Sequence, residues 1–229
     1  MPNQRVKIVS FSGIDGAGKT TQIHALIDWL RRAGLRVELL TFWDDIVVLS
    51  RFREGLSHKV FRGDQGIGSP ERPLNRKDKN VTSWPVTTFR FLLYFLDALH
   101  LSRRVRQSKK SDVDVVIFDR YIYDELANLP LHRRLTRMFI RFLLRLVPAP
   151  DVAYVVDADP VAARQRKPEY PLEFIRKNRE AYLTMSRLTR AITVIEPCSI
   201  ADAELKIRQT FLGGSPEQER QIRGFAAVQ

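Results

Sequence analysis

Five apolar runs stand out along the chain as strands: Lys7–Ser12, Val37–Phe42, Asp114–Phe118 (DVVIF), Val152–Asp157 (VAYVVD) and Ile192–Ile195 (ITVI). The segments between them carry helical spacing. Phe91, Leu92, Phe95 and Leu99 share one face, and Leu135, Met138, Phe139, Phe142, Leu143 and Leu146 share another. These aromatics are expected in the core. Strands and helices in alternation predict an α/β fold, a parallel sheet with helices on both faces.

Arg133, Arg137, Arg141 and Arg145 recur every fourth residue opposite the second apolar face. The stripe reads as a solvated helix face, with a nucleic-acid contact as the less favoured alternative. Between Gly55 and Pro85 the pattern lapses into a stretch rich in Gly, Pro and charge. A structureless segment of that length in a compact domain is usually functional or mobile. There is no internal repeat and no heptad. From Gly213 the tail GGSPEQERQIRGFAAVQ opens with turn residues. The expected organisation is therefore one domain over residues 1–212, with a long loop over 55–85, and an appendage over 213–229.

Composition narrows this picture only in part. A chain of 229 residues that is 44% hydrophobic can bury a sizeable core. A formal net charge of +12 points to anionic partners without separating nucleotides from nucleic acid or a membrane surface. Cys198 is the only cysteine, which excludes an intrachain disulfide and fits a reducing, cytoplasmic compartment. The first apolar run is short and flows straight into a glycine loop, so it reads as a strand and not a signal peptide. The richest apolar stretch, Leu135–Val147, is cut by arginines and falls short of the roughly 18 residues of a membrane span. A soluble protein with no membrane partner is expected.

The first strand leads into GIDGAGKTT, Gly13–Thr21, which fits the phosphate-loop pattern G-x-x-x-x-G-K-[ST]. The apolar strand before it and the amphipathic helix after it are the context the mechanism requires. Gly13, Asp15, Gly16, Ala17, Gly18 and Thr21 belong to a cradle whose backbone amides curl around phosphates at a helix N-terminus. Lys19 can reach the β- and γ-phosphates, and the Thr20 hydroxyl can ligate Mg²⁺. The second half of such a site is an acid at the end of a buried strand, and Asp119 is placed for it, acting on Mg²⁺ directly or through water. Arg120 follows at the same strand end, where α/β sheets bind ligands. Arg164, Arg166 and Lys167 lie after the fourth strand, either as a mobile segment closing over phosphates or as a solvated helix.

Taken together, GIDGAGKTTQ, DRYIYDELA (Asp119–Ala127) and VDADPVAARQRK followed by FIRKNREAYL resemble the thymidylate kinase family of P-loop nucleoside monophosphate kinases. Their order and spacing match from Val6 to Leu212. The resemblance implies a P-loop NTPase fold with a five-stranded parallel sheet flanked by helices and a short lid at about 160–171. It implies ATP as donor, Mg²⁺, and transfer of the γ-phosphate to a nucleoside monophosphate. It also carries roles onto matching positions. Asp15 falls near the acceptor sugar and metal, Lys19, Arg120, Arg164 and Arg166 at the phosphates, and Thr20 and Asp119 at the metal. Phe91, Asp97, Tyr121 and Asn128 fall beside the acceptor. A homodimer is left open as a partner.

The acceptor half departs from the family pattern. Its usual Arg-Glu-Pro-Gly-Gly stretch is replaced by TFWDDIVVLSRFREG from Thr41. Aligned on His100, Asp97 stands where the family presents an arginine to thymine. The family's serine, tyrosine and glutamine after the Asp-Arg-Tyr motif become Asp124, Asn128 and Leu129. An ionised Asp97 only accepts hydrogen bonds, and Asn128 removes bulk that would crowd a ribose 2′-hydroxyl. The reading is thus transfer from Mg-ATP to a nucleotide, with dTMP the leading acceptor and ribonucleotides or amino-bearing bases better tolerated than in the family. The acceptor oxygen is already anionic, so no strong general base is needed. His24, His58, His100 and His132 lack metal-ligand spacing and receive no role. The alternatives are a kinase of the same fold for another small metabolite and a nucleotide-dependent switch, although no Asn-Lys-x-Asp guanine-reading motif is present.

Overall fold

Strands that are apolar on both faces belong in the middle of a parallel sheet, and those with mixed burial belong at its edges. The computed structural model, which describes residues 6–47, 84–189 and 191–213, follows this rule. β1 (Lys7–Ser12), β2 (Val37–Thr41), β3 (Val115–Asp119), β4 (Val152–Val156) and β5 (Ile192–Ile195) form one all-parallel sheet in the order β2-β3-β1-β4-β5. β1 and β4 are buried throughout and β3 at all but Asp119, whereas β2 buries only Leu40 and β5 only its two end residues. Phe11 pairs in register with Asp119, and Ser12 with Val155. The ends of β1, β3 and β4 are therefore level, and the loops leaving them start side by side.

The helices are α1 (Lys19–Arg32), α2 (Trp84–Ser108), α3 (Ile122–Leu126), α4 (Arg134–Leu146), α5 (Pro160–Arg166), α6 (Leu172–Leu188) and α7 (Ile200–Leu212). α1 packs on α7, where Trp29 meets Phe211 edge-on at 6.0 Å, α2 packs on α4, and α5 on α6. All five expected strands shift by a residue or none at each end. β2 stops at Thr41 because the Asp45 carboxylate accepts the Thr41 amide at 2.6 Å, and the chain enters a π-helical turn over Phe42–Ile46.

The helix faces differ more from expectation. On α2 the buried positions include Leu93, Tyr94, Asp97, Ala98, Leu101, Ser102, Val105 and Ser108, while Leu92 and Leu99 are exposed. Phe91 and Phe95 are half-covered, stacked on Phe139 and Phe142 of α4 with ring centroids 4.1 and 6.1 Å apart. On α4 the buried residues are Thr136, Ile140 and Leu143, and Leu135, Met138 and Phe142 face outward. On α2 apolar residues lie on several sides, so the period does not declare which stripe is buried, whereas α4 has one apolar face of which part is left uncovered. Arg137, Arg141 and Arg145 are exposed, as a solvated stripe requires. The loop expected from Gly55 lies outside the described residues up to position 83, as do His58 and the tail beyond Gly213, and α2 already takes in Trp84 and Pro85. Among the described residues no helix is long and apolar enough to cross a membrane.

Candidate active site

The loop between β1 and α1 turns through left-handed backbone, with φ of 137° at Gly13, 81° at Gly16 and 90° at Gly18. Two of these glycines are also fixed by contact. A Cβ on Gly13 would sit 2.4 Å from the Val156 carbonyl oxygen, and one on Gly16 would sit 2.3 Å from that of Ala163. The loop is thus pressed against the end of β4 and against α5. Lys19 folds back beneath it, its Nζ donating to the carbonyls of Gly13 at 2.9 Å and Ile14 at 2.8 Å, and standing 3.9 Å from the Asp15 carboxylate. Burial, with the neighbouring Arg120 charge, lowers the ammonium to about 8, against the pull of Asp15, Asp124 and Asp119. Thr20 and Thr21 are exposed at the first turn of α1, and Ala17 is buried.

At the end of β3, Asp119 is half-buried and the next residue, Arg120, is the only non-glycine with positive φ among the described residues, at 71°. Its amide donates to the Phe11 carbonyl at 2.8 Å, tying the turn to β1. Strain of this kind persists where the surroundings hold it, and it gathers at functional sites. The guanidinium is clamped between two carboxylates, donating from Nη1 to Asp124 at 2.9 Å and from Nη2 to Asp15. Burial opposes its charge, and Asp124, Asp15 and Asp119 together outweigh that cost.

Asp124, 2% exposed, closes the turn. One oxygen accepts from Ser12 Oγ at 2.6 Å and the Tyr121 amide at 3.1 Å; the other accepts from Arg120 and from the Tyr182 hydroxyl at 2.7 Å. Burial first, and Asp124 second, raise the Tyr182 phenol well above its usual range, so it remains a donor to that carboxylate.

Tyr182 is delivered by α6, and α6 is anchored at the end of β4. Arg179 donates to both oxygens of Asp157, each at 2.7 Å. α5 begins where the Asp159 carboxylate accepts the amides of Val161 and Ala162, both at 3.0 Å, with Pro160 in the first helical position. Arg164 is half-exposed and Arg166 exposed on its last turn. These elements enclose a small polar cavity above the strand ends. It is lined by Gly13, Ile14 and Asp15 of the loop, Trp43 after β2, Arg120, Asp124 and Asn128 around α3, and Asn178 and Tyr182 of α6.

No family model matches the chain. Among curated proteins it is 24% identical over 201 residues to a probable thymidylate kinase of Methanosphaera stadtmanae, covering 85% of this chain and 91% of that protein. It is 30% identical over 162 residues to the thymidylate kinase of Bifidobacterium longum strain DJO10A, covering 69% of each. The chain belongs to the thymidylate kinase family. The fold agrees: the crystal structure of thymidylate kinase from Ehrlichia chaffeensis superposes with a TM-score of 0.57 at 17% identity, over 90% of this chain and 99% of that one. As a thymidylate kinase-family protein, the chain is a nucleoside monophosphate kinase.

Of the residues that family resemblance assigns to the site, the cavity brings together Asp15, Arg120 and Asn128, with Lys19 and Asp119 beside them. Gly16 lies against α5, which carries Arg164 and Arg166. Three others lie elsewhere. Tyr121 is a core residue, 1% exposed, its ring against Phe118 and its hydroxyl donating to the Pro148 carbonyl at 2.6 Å. Phe91 stacks on α4, and Asp97, 0% exposed, is absent from the cavity wall. Sequence reasoning assigned no role to Ser12, Trp43, Asn178 or Tyr182. Asn178 and Tyr182 fall inside the FIRKNREAYL stretch, and that was the one signal available for them.

Proposed function

We propose that this thymidylate kinase-family protein moves the γ-phosphate of Mg-ATP to a nucleoside monophosphate, with dTMP the leading acceptor. The observation that carries this reading is the meeting of Lys19, Asp15, Arg120 and Asp124 at the level ends of β1 and β3, under a loop whose Gly13 and Gly16 leave no room for a side chain. Loop amides and the N-terminus of α1 receive the donor phosphates, and Lys19 exchanges its carbonyl partners for phosphate oxygens. Thr20, exposed in the first turn, and Asp119 at the strand end suit Mg²⁺, which takes few protein ligands and shares the rest with substrate phosphates and water. Once bound, Mg²⁺ would neutralise charge on the phosphate oxygens.

Around the cavity three carboxylates, Asp15, Asp119 and Asp124, face two cations, Lys19 and Arg120. A phosphate dianion needs more positive charge than that. Arg164 and Arg166 of α5 are in place to supply it as a lid, where ordering around the transferred group stabilises the transition state. Arg120, held rigidly by its two carboxylates, orients the acceptor phosphate, whose own oxygen attacks without a general base. Asn128 lines the cavity with its amide nitrogen committed to the Asp124 carbonyl at 2.8 Å, leaving its oxygen to accept from a sugar hydroxyl.

The setting is cytoplasmic in this reading, consistent with an exposed, unpaired Cys198. A second copy of the chain as partner has one support, the uncovered Phe89, Leu92, Leu99, Leu135, Met138 and Phe142 on the paired helices α2 and α4. One observation favours a second reading, a kinase of this fold for another phosphorylated metabolite: Asp97, standing where the family reads thymine, is away from the cavity wall. The discriminating experiment is kcat/KM for dTMP, dUMP, dCMP, UMP, CMP, AMP and GMP at saturating Mg-ATP. The first reading expects dTMP to lead with measurable ribonucleotide use, and turnover with none of them contradicts it.

A further inference from the structure

Asp124 is the most heavily engaged side chain at the site, and nothing in phosphoryl transfer itself calls for a third carboxylate there. Its partners come from three parts of the fold. Ser12 Oγ, at 2.6 Å, ends β1; Arg120 and the Tyr121 amide, at 2.9 and 3.1 Å, belong to the turn after β3; the Tyr182 hydroxyl, at 2.7 Å, comes from α6. With four donors on two oxygens and 2% exposure, the carboxylate has no freedom to turn. Two of those donors, Arg120 and Tyr182, also line the cavity. A second carboxylate, Asp15, reaches Arg120 on its other terminal nitrogen. A guanidinium has five N–H groups in one plane, and holding two of them fixes the direction of the rest.

Resting on the kinase reading above, we propose that Asp124 is a positioning residue. It sets Arg120 and Tyr182 as one rigid wall for the acceptor, and so governs acceptor affinity far more than donor affinity. The hydrogen-bond partners of Asp124 include no residue of the cradle from Gly16 to Thr21, so its carboxylate reaches the donor site only through its electrostatic pull on Lys19. The family's serine at this position is too short, and has no charge, to hold the guanidinium in the same way. Replacing it by aspartate substitutes a built-in anion for part of the hydrogen-bonding freedom of Arg120. The acceptor phosphate then meets an arginine that is already oriented.

The test measures acceptor and donor KM separately for the wild type, Asp124→Asn, Arg120→Lys and the double variant. Rates are normalised to the fraction of molecules that bind a non-hydrolysable ATP analogue. Asp124→Asn is expected to raise acceptor KM by about tenfold to a hundredfold, the range covered by hydrogen bonds to charged groups, with donor KM within about twofold. In the Arg120→Lys background the same change should add much less than it does alone, because the part that acts through the guanidinium is already lost and only the part through Tyr182 remains. Should Asp124→Asn fail to fold, Ser12→Ala removes one of its four donors from outside the cavity and is expected to raise acceptor KM by a few-fold. Equal acceptor and donor losses, unchanged acceptor KM, or multiplying effects in the double variant overturn the positioning role. A wild type that phosphorylates no monophosphate overturns the kinase reading itself, and that outcome is visible before any variant is made.

Discussion

The ammonium of Lys19 is held by the Gly13 and Ile14 carbonyls, while burial first and the neighbouring Arg120 charge second lower its pKa to about 8. A phosphate favours the protonated form, so nucleotide binding is expected to weaken as pH rises through about 8 and to take up protons near that pH. Calorimetric titration of an ATP analogue in buffers of different ionisation enthalpy reads this directly; affinity that stays flat from pH 7 to 9.5 contradicts it. At the acceptor end, Asn128→Tyr should restore bulk over the sugar and lower kcat/KM for UMP by about tenfold or more relative to dTMP, a loss within the span of steric discrimination. An unchanged UMP to dTMP ratio removes Asn128 from sugar selection. The loop residues were legible in the sequence because each is demanded by local backbone geometry: glycine where φ is positive, lysine and threonine at the helix start. Trp43, Asn178 and Tyr182 were not, since only tertiary packing brings them to Arg120 and no local spacing records it. Tyr121 misled for the converse reason, its neighbour Arg120 turning into the site through left-handed backbone while it turns into the core.

Among the elements, α5 is the piece that joins donor chemistry to the fold. Gly16 and the Ala163 carbonyl are so close that an added Cβ would sit 2.3 Å from that oxygen, on a backbone with φ of 81°. Gly16→Ala therefore has to push α5 away from the loop and with it Arg164. We expect kcat to fall by about tenfold or more, since a small displacement of a charge-stabilising group is costly in a preorganised site. Gly18→Ala is the control, strained at φ of 90° yet meeting nothing within 4 Å. If both variants lose kcat equally, backbone strain and not the α5 contact is responsible. The strands could be read to within a residue because burial on both faces leaves continuous apolar runs. The faces of α2 and α4 could not, because Phe91, Phe95, Phe139 and Phe142 pair with one another across the two helices, while smaller residues such as Ala98 and Val105 fill the sheet-facing stripe.

For the whole molecule, a formal net charge of +12 draws anions without choosing among them. Under the proposed function the choice is made locally, at a cavity where three carboxylates and two cations suit a phosphate that arrives with a cation of its own. This balance accounts for why the exposed Arg137, Arg141 and Arg145, on α4, need no part in the reaction. It also explains why the parallel sheet alone, shared at a TM-score of 0.57 with the Ehrlichia chaffeensis enzyme, speaks for the fold and the strand-end residues for the chemistry. The central claim is transfer to a monophosphate and not release to water. Incubation with γ-labelled ATP, Mg²⁺ and dTMP, followed by separation of the labelled products, measures it most directly. The account predicts label in the nucleoside diphosphate, one equivalent for each ADP formed, with little ADP when acceptor is omitted. Label found as inorganic phosphate at a rate indifferent to the acceptor would contradict it.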